Sequence, residues 1–289
     1  MPVNENTNNE SPEVTPNLWD IGISINIGEE REKQEDIIVF RELDHDSLLT
    51  IIADGTQSRD NCPQPGSIVA TDIADSVTMF FNDKKQLFMS DPEYFLKLQM
   101  YRANTLLGVF SAANEEIYSG YAASVTCLLL TKNIIRKKDG SKEKANMMYA
   151  AHAGNTRLYI IRGNVIRQLT TDHTVAARLL AEGTIRDEEY YSDPRRLSLT
   201  SGLGLVAYPE IQTLSGKVRD GDLFVLTTDG VHYAVNTNAI AYLTTSGTST
   251  VNAAEALVSG ALDQKYPDNM AAAVIMNADY RTRQLAGEE

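Results

Sequence analysis

The sequence predicts an α+β domain: antiparallel sheets with helices packed on their outer faces. Three observations carry that expectation. Short apolar runs cluster near the start, two long stretches of helical spacing follow, and strand runs then return without the regular alternation of a parallel βαβ fold.

The elements follow in order. Ile21, Ile23, Ile25 and Ile27 alternate with Gly22, Ser24 and Asn26, the period of two of a half-buried strand. Ile37–Phe40 and Leu48–Ala53 are two more short strands, and the close spacing of all three predicts antiparallel hairpin pairing. Gly66–Phe81 carries apolar residues at helical spacing. Asp91-Pro92-Glu93 opens a second helix, with Asp91 as N-cap and Pro92 in the first position, reaching to about Ile117. Strands are expected at Ser124–Thr131, Asn146–Ala153, Arg157–Ile161 and Val165–Leu169. Lys132–Lys144 reads as a charged hairpin loop and Arg162-Gly163-Asn164 as a tight turn. Thr174–Gly183 looks helical and Thr184–Leu199 irregular. A strand at Leu223–Thr228, a helix at Asn252–Leu262 and a last strand at Ala271–Met276 complete the chain.

Composition narrows the function classes. The 289 residues carry 26 basic and 39 acidic side chains, a net charge of −13. Such a balance opposes binding to nucleic acid or to an anionic membrane face, because both need Lys and Arg. No apolar run approaches the length of a membrane span, and the start lacks the basic and hydrophobic regions of a secretory signal. Cys62 and Cys127 are too few for a disulfide framework, and two reduced thiols are expected. A cytoplasmic chain follows, with polar tails at 1–17 and 280–289 and a single domain at 18–279; the first tail is expected to be disordered.

Acids stand at the ends of apolar strands. Ile51-Ile52-Ala53 runs into Asp54-Gly55, and Phe224–Thr228 into Asp229-Gly230. Asp268-Asn269 precedes the last strand, and Glu35-Asp36 precedes Ile37–Phe40. A single Asp-Gly is more often a plain turn. Repetition at four strand ends changes the reading: if the ends converge, two carboxylates ~4 Å apart repel by about 4 kcal/mol at an effective dielectric near 20. They then either take up protons or capture a cation. An oxygen-only donor set favours a hard ion, magnesium or manganese.

These residues resemble the metal-dependent PPM-type (type-2C) serine/threonine phosphatases. The motifs run in order: Arg31-x-x-x-Glu35-Asp36, Asp54-Gly55, Ala122–Thr126, His152–Arg157, Leu169–His173, Leu199–Gly204, Thr228-Asp229-Gly230 and Asp268-Asn269. The resemblance spans Ile21 to about Met276. It implies a four-layer α-β-β-α sandwich of two mainly antiparallel sheets flanked by helix pairs. It also implies a two-metal hydrolase of phosphoserine and phosphothreonine, in which a bridging hydroxide attacks phosphorus in line. Asp54 would bridge both ions, Gly55 would offer its carbonyl, Asp229 and Asp268 would complete one ion, and Glu35 the other. Asp36 would orient the nucleophilic water, Arg31 would clamp the phosphate, and about 174–202 would form a flap beside the site. A phosphorylated protein as substrate, an opposing kinase and a monomeric chain are expected with it.

The chain departs from that pattern in three places. Thr56 follows the first Asp-Gly where many members have His, and a threonine hydroxyl is a poor general acid. Ser58–Pro65 is longer than the usual glycine-rich turn. Asn155 stands where Asp often helps to hold a third ion, so affinity there should fall. His152 and His173 are expected as structural hydrogen-bonding partners. Two rival readings remain: a catalytically weak or inactive phosphatase fold kept as a binding or regulatory module, and a relative acting on anti-sigma-factor antagonists. Arg31 and the flap count against the second.

Overall fold

Two five-stranded sheets, each antiparallel throughout, form the centre of the described residues. The structure, a computed structural model, describes residues 17–56, 58–136 and 139–280. The expected tails lie outside the described residues except for Asn17 and Tyr280.

One sheet has the order β1 (Trp19–Asn26), β10 (Met270–Asn277), β9 (Leu223–Thr227), β6 (Arg157–Arg162), β7 (Val165–Gln168). The other has the order β2 (Asp36–Asp44), β3 (Ser47–Gly55), β4 (Ala123–Arg136), β5 (Lys142–Ala153), β8 (Gln212–Lys217). Ile52, Leu128, Leu226 and Ala273 fill the space between the sheets. The long helices α1 (Pro65–Ser90) and α2 (Pro92–Ala113), followed by the short α3 (Glu115–Tyr118), lie with the second sheet, on which α1 and α2 bury Val69, Ile73 and Met100. The helices α7 (Thr237–Ser246) and α8 (Thr250–Asp263) cover the first sheet with Ile240, Ala254 and Leu257. The four-layer α-β-β-α sandwich is therefore the observed architecture. Each fully buried aliphatic side chain in these layers contributes about 1.5–3 kcal/mol.

Local chemistry sets the boundaries. Asp91 caps α2 as expected, its side chain accepting from the Tyr94 amide, with Pro92 in the first position. Helix α1 continues past Phe81 to Ser90, with non-helical dihedrals only at Lys84. The charged segment 132–144 is mostly strand and not loop: Lys132 pairs with Asn146 and Arg136 with Lys142, so the β4–β5 ladder runs on beyond the core. Within Thr184–Leu199 the chain forms a short helix, α5 (Asp187–Tyr190), and a 3₁₀ turn, Pro194–Leu197, after α4 (Val175–Ala181).

The pairing of the first three strands is corrected. β2 and β3 form a hairpin, but β1 pairs with β10 in the other sheet. The alternation in β1 is real, yet Ile23 and Ile25 line a half-open sheet margin. The opposite face is closed by α8, whose first turn lies so near Gly22 that a Cβ there would sit 2.1 Å from the Thr250 carbonyl carbon.

Candidate active site

The β2–β3 register puts Asp36 directly opposite Asp54, a pairing of like charges that is unfavourable on its own. From the other sheet, β9 leads into Thr228 and Asp229, the latter opening the single turn α6 (Asp229–His232). Asp268-Asn269 sits at the start of β10. Arg31, Lys33, Glu35, Asp54, Gly55 and Asp268 line one cleft of about 210 Å³.

Close backbone contacts fix the ends. A Cβ on Gly55 would come within 2.8 Å of the Gly66 amide, and one on Gly230 within 1.9 Å of the Asn269 carbonyl oxygen. Both Asp-Gly pairs thus need a glycine for space.

The electrostatics follow from crowding. Burial, and then Asp229, Asp36 and Asp268, push Asp54 well above the usual carboxylate range. Burial raises Asp36 likewise, Asp229 and Asp268 adding to it against the Thr228 hydroxyl, which donates to Asp36 Oδ2 at 2.7 Å. Asp229 is raised to about 6 by burial and by Asp268.

Each other acid already has a partner. Arg31 Nη2 lies 2.8 Å from Asp268 Oδ1, Asn155 Nδ2 donates to Asp229 Oδ2 at 3.1 Å, and Ser58 donates to Glu35 Oε1 through both its amide and its hydroxyl. Among the described residues no three His, Cys, Asp or Glu side chains stand together as a cation-holding set. Glu35, Asp54 and Asp268 share the cleft, and Asp36 and Asp229 act on Asp54 through their charge. Two oxygens nevertheless lack any hydrogen-bond partner although fully buried: Glu35 Oε2 and Asn155 Oδ1. Such orphans are costly, and a hard cation or water is what satisfies them. The donor chemistry fits magnesium or manganese.

Several positions had no role assigned from sequence. Asn269 is a clamp: its Oδ1 accepts from the Glu35 amide, while its Nδ2 donates to the carbonyls of Ile27 and Lys33. Thr228 links β9 to Asp36 and to β10, accepting from the Ala271 amide. Ser124 Oγ accepts from the amides of Asn155 and Thr156. All three lie in motifs that carry the family resemblance, Ala122–Thr126, Thr228-Asp229-Gly230 and Asp268-Asn269, which was the available signal. Thr56 is tied up structurally, donating to the Gly120 carbonyl and accepting from the Ala122 amide.

The segment 174–199 is closed at its base by a Thr174–Leu199 bridge, and Leu199 reaches the cleft. Inside it, Arg196 stacks on Tyr233 at 4.3 Å, and Tyr190 donates to Asp172, the carboxylate that also holds the buried Arg157. His152 is held between Thr126 and the Thr171 carbonyl, and burial lowers it to about 3, which keeps it a neutral structural partner.

No family model matches the chain. The protein phosphatase PhpP of Streptococcus pneumoniae is 23% identical over 262 residues, 89% of this chain and 96% of that protein. Among solved structures, the serine/threonine phosphatase Stp1 of Staphylococcus aureus superposes with a TM-score of 0.75 at 21% identity, covering 90% of this chain and 96% of that one. The catalytic domain of the serine/threonine protein phosphatase PstP, in complex with two manganese ions, does so with a TM-score of 0.70 at 19% identity, covering 89% and 97%. Sequence similarity over nine-tenths of the chain, the shared sandwich and the ordered acidic motifs agree: the chain is similar to bacterial serine/threonine protein phosphatases and shares their fold.

Proposed function

We propose that the chain hydrolyses phosphoserine and phosphothreonine in proteins, using two divalent cations, Mg²⁺ or Mn²⁺. One observation carries this reading: buried carboxylates from both sheets lie near enough to raise one another's proton affinity, and a half-exposed arginine pairs with Asp268 beside them. Asp54, Asp229, Asp268, Glu35 and the Gly55 carbonyl would hold the cations, with Asn155 a weakened third position. When bound, the cations polarise the phosphoryl group and acidify the attacking water.

The chain's own groups do the rest. Arg31 presents its guanidinium to the phosphate as a two-pronged donor, exchanging Asp268 for the substrate. Asp36, fixed by Thr228, accepts a hydrogen bond from the nucleophilic water and aims its lone pair at phosphorus. A water oxygen–phosphorus bond forms as the phosphorus–serine oxygen bond breaks in line. The attacking water gives up one proton to solvent in the cleft and the departing oxygen takes one from it, since the Thr56 hydroxyl is engaged with Gly120 and Ala122. Phosphate and the free hydroxyl residue are the products.

The partners are then a phosphorylated protein and an opposing kinase, met by a monomer in the cytoplasm. No helix among the described residues is long and apolar enough to cross a membrane. The Arg31–Asp268 pair, which engages a clamp and a ligand at once, favours the second reading of a binding module. Phosphate release from a phosphothreonine peptide separates them: release with Mn²⁺ that stops on chelation supports the enzyme. No release above the blank at any Mn²⁺ level leaves the module.

A further inference from the structure

The sandwich has a second open margin, between the edge strands β7 and β8, and its charge is opposite to that of the protein. In a chain of net charge −13, Arg162, Arg167, Lys217 and Arg219 rim one cleft of about 640 Å³ whose floor includes Met148 and Ile160. Arg162 is paired with Asp222 at 2.7 Å and Lys217 with Glu143. Among the described residues the guanidinium groups of Arg167 and Arg219 have no ion-pair partner. Both are exposed. In an acidic protein, two arginines without an ion-pair partner beside two paired cations make a local positive patch, next to which Asp220 is the one further acid in sequence.

The position is remote from the acidic cleft. Met148 pairs with Leu130, and Leu130 with Leu48, six residues along β3 from Asp54, or about 20 Å at strand spacing. Each flanking strand pairs on one side only, β7 with β6 and β8 with β5, so both offer unpaired backbone groups along the cleft. Val165, on the same face of β7 as Arg167, is 67% exposed.

We propose that this margin docks an extended acidic segment of a partner protein, with aliphatic side chains on the apolar floor and carboxylates against Arg167 and Arg219. The segment adds to a sheet edge through its backbone, and alternation of its side chains matches the alternation of floor and rim. A nucleic acid fits less well: four rim cations, two already neutralised, displace few counterions, and the remaining surface repels a polyanion. The inference stands apart from the hydrolytic reading and needs no cation.

The test is fluorescence anisotropy with a labelled eight-residue peptide alternating Glu with Val, and with its counterpart alternating Lys with Val. The acidic peptide binds, more weakly as salt rises, and the basic one does not. Arg167→Glu with Arg219→Glu weakens that binding by about tenfold, while Arg167→Lys with Arg219→Lys retains most of it. Thermal melts by circular dichroism and hydrolysis of p-nitrophenyl phosphate stay as in the unsubstituted protein. Equal binding of both peptides, indifference to charge reversal, or tighter binding of a uridine oligonucleotide or a phosphatidylserine vesicle overturns the proposal.

Discussion

Arg31 and Asp268 meet across the mouth of the acidic cleft, Nη2 to Oδ1 at 2.8 Å, with 44% of the arginine side chain and 24% of the aspartate exposed. The contact joins the proposed phosphate clamp to a proposed cation ligand, so binding at either one releases the other. Exposed as it is, the pair is worth little to folding.

Removing the clamp therefore acts on substrate and not on the fold. Arg31→Ala is expected to lower kcat/KM for a phosphopeptide by about 10- to 150-fold, mostly through KM, from the loss of charge-assisted hydrogen bonds worth about 1.5–3 kcal/mol. Steady-state kinetics beside a thermal melt check it. An unchanged KM would reduce Arg31 to a tether for Asp268.

The raised carboxylates set a pH dependence. Burial and the charge of Asp268 raise Asp229 to about 6, and Asp54 and Asp36 are also raised above the usual value by burial and mutual repulsion. In that window the folded chain binds protons that the unfolded chain has released, so these groups make the cation-free protein less stable as pH rises through about 6. A divalent cation relieves the same repulsion. The gain in melting temperature on adding Mn²⁺ should be large near about pH 7.5 and shrink as pH falls below about 6. A gain independent of pH would exclude these acids as the binding groups.

Asn155 reports on the proposed third cation position. It donates to Asp229, while its own buried Oδ1 has no partner. Asn155→Asp adds a carboxylate to a crowded field, so the cation-free melting temperature should fall and the Mn²⁺-induced gain should grow. Equal melts with and without Mn²⁺ in both proteins would contradict this.

The segment 174–199 rests on a buried ion pair at its base. Arg157 and Asp172 bond through Nη2–Oδ2 at 2.6 Å with almost no exposure, and Tyr190 and Gln168 donate to the same carboxylate. Asp172→Ala leaves a buried guanidinium unpaired, a loss of about 3–5 kcal/mol. Differential scanning calorimetry measures it. A loss under about 1 kcal/mol, typical of a surface pair, would show that water reaches the site.

Most of the sheet architecture was legible because buried strands announce themselves: Leu48–Ala53, Leu223–Thr228 and Ala271–Met276 are nearly uninterrupted apolar runs. Strand β8 was not, because Gln212–Lys217 offers one aliphatic residue and is held by pairing with β5. Helix α7 was hidden by its threonines and alanines. The partner of β1 was misjudged because spacing favours neighbours in sequence, whereas β1 is recruited by β10 from the far end of the chain. At the cleft, the acids stood out by their place at strand ends. Asn269, Thr228 and Ser58 act through backbone amides and single hydroxyls, interactions that composition and spacing do not encode.

The account depends above all on acids from two sheets acting as one cation site. The direct measurement is titration of Mn²⁺ by isothermal calorimetry into the protein and into Asp54→Asn and Asp229→Asn, with peptide dephosphorylation and circular dichroism on the same samples. The account predicts tight Mn²⁺ binding and turnover in the unsubstituted chain, and loss of both in either variant while each keeps its fold. Unchanged Mn²⁺ binding in the two variants would contradict it.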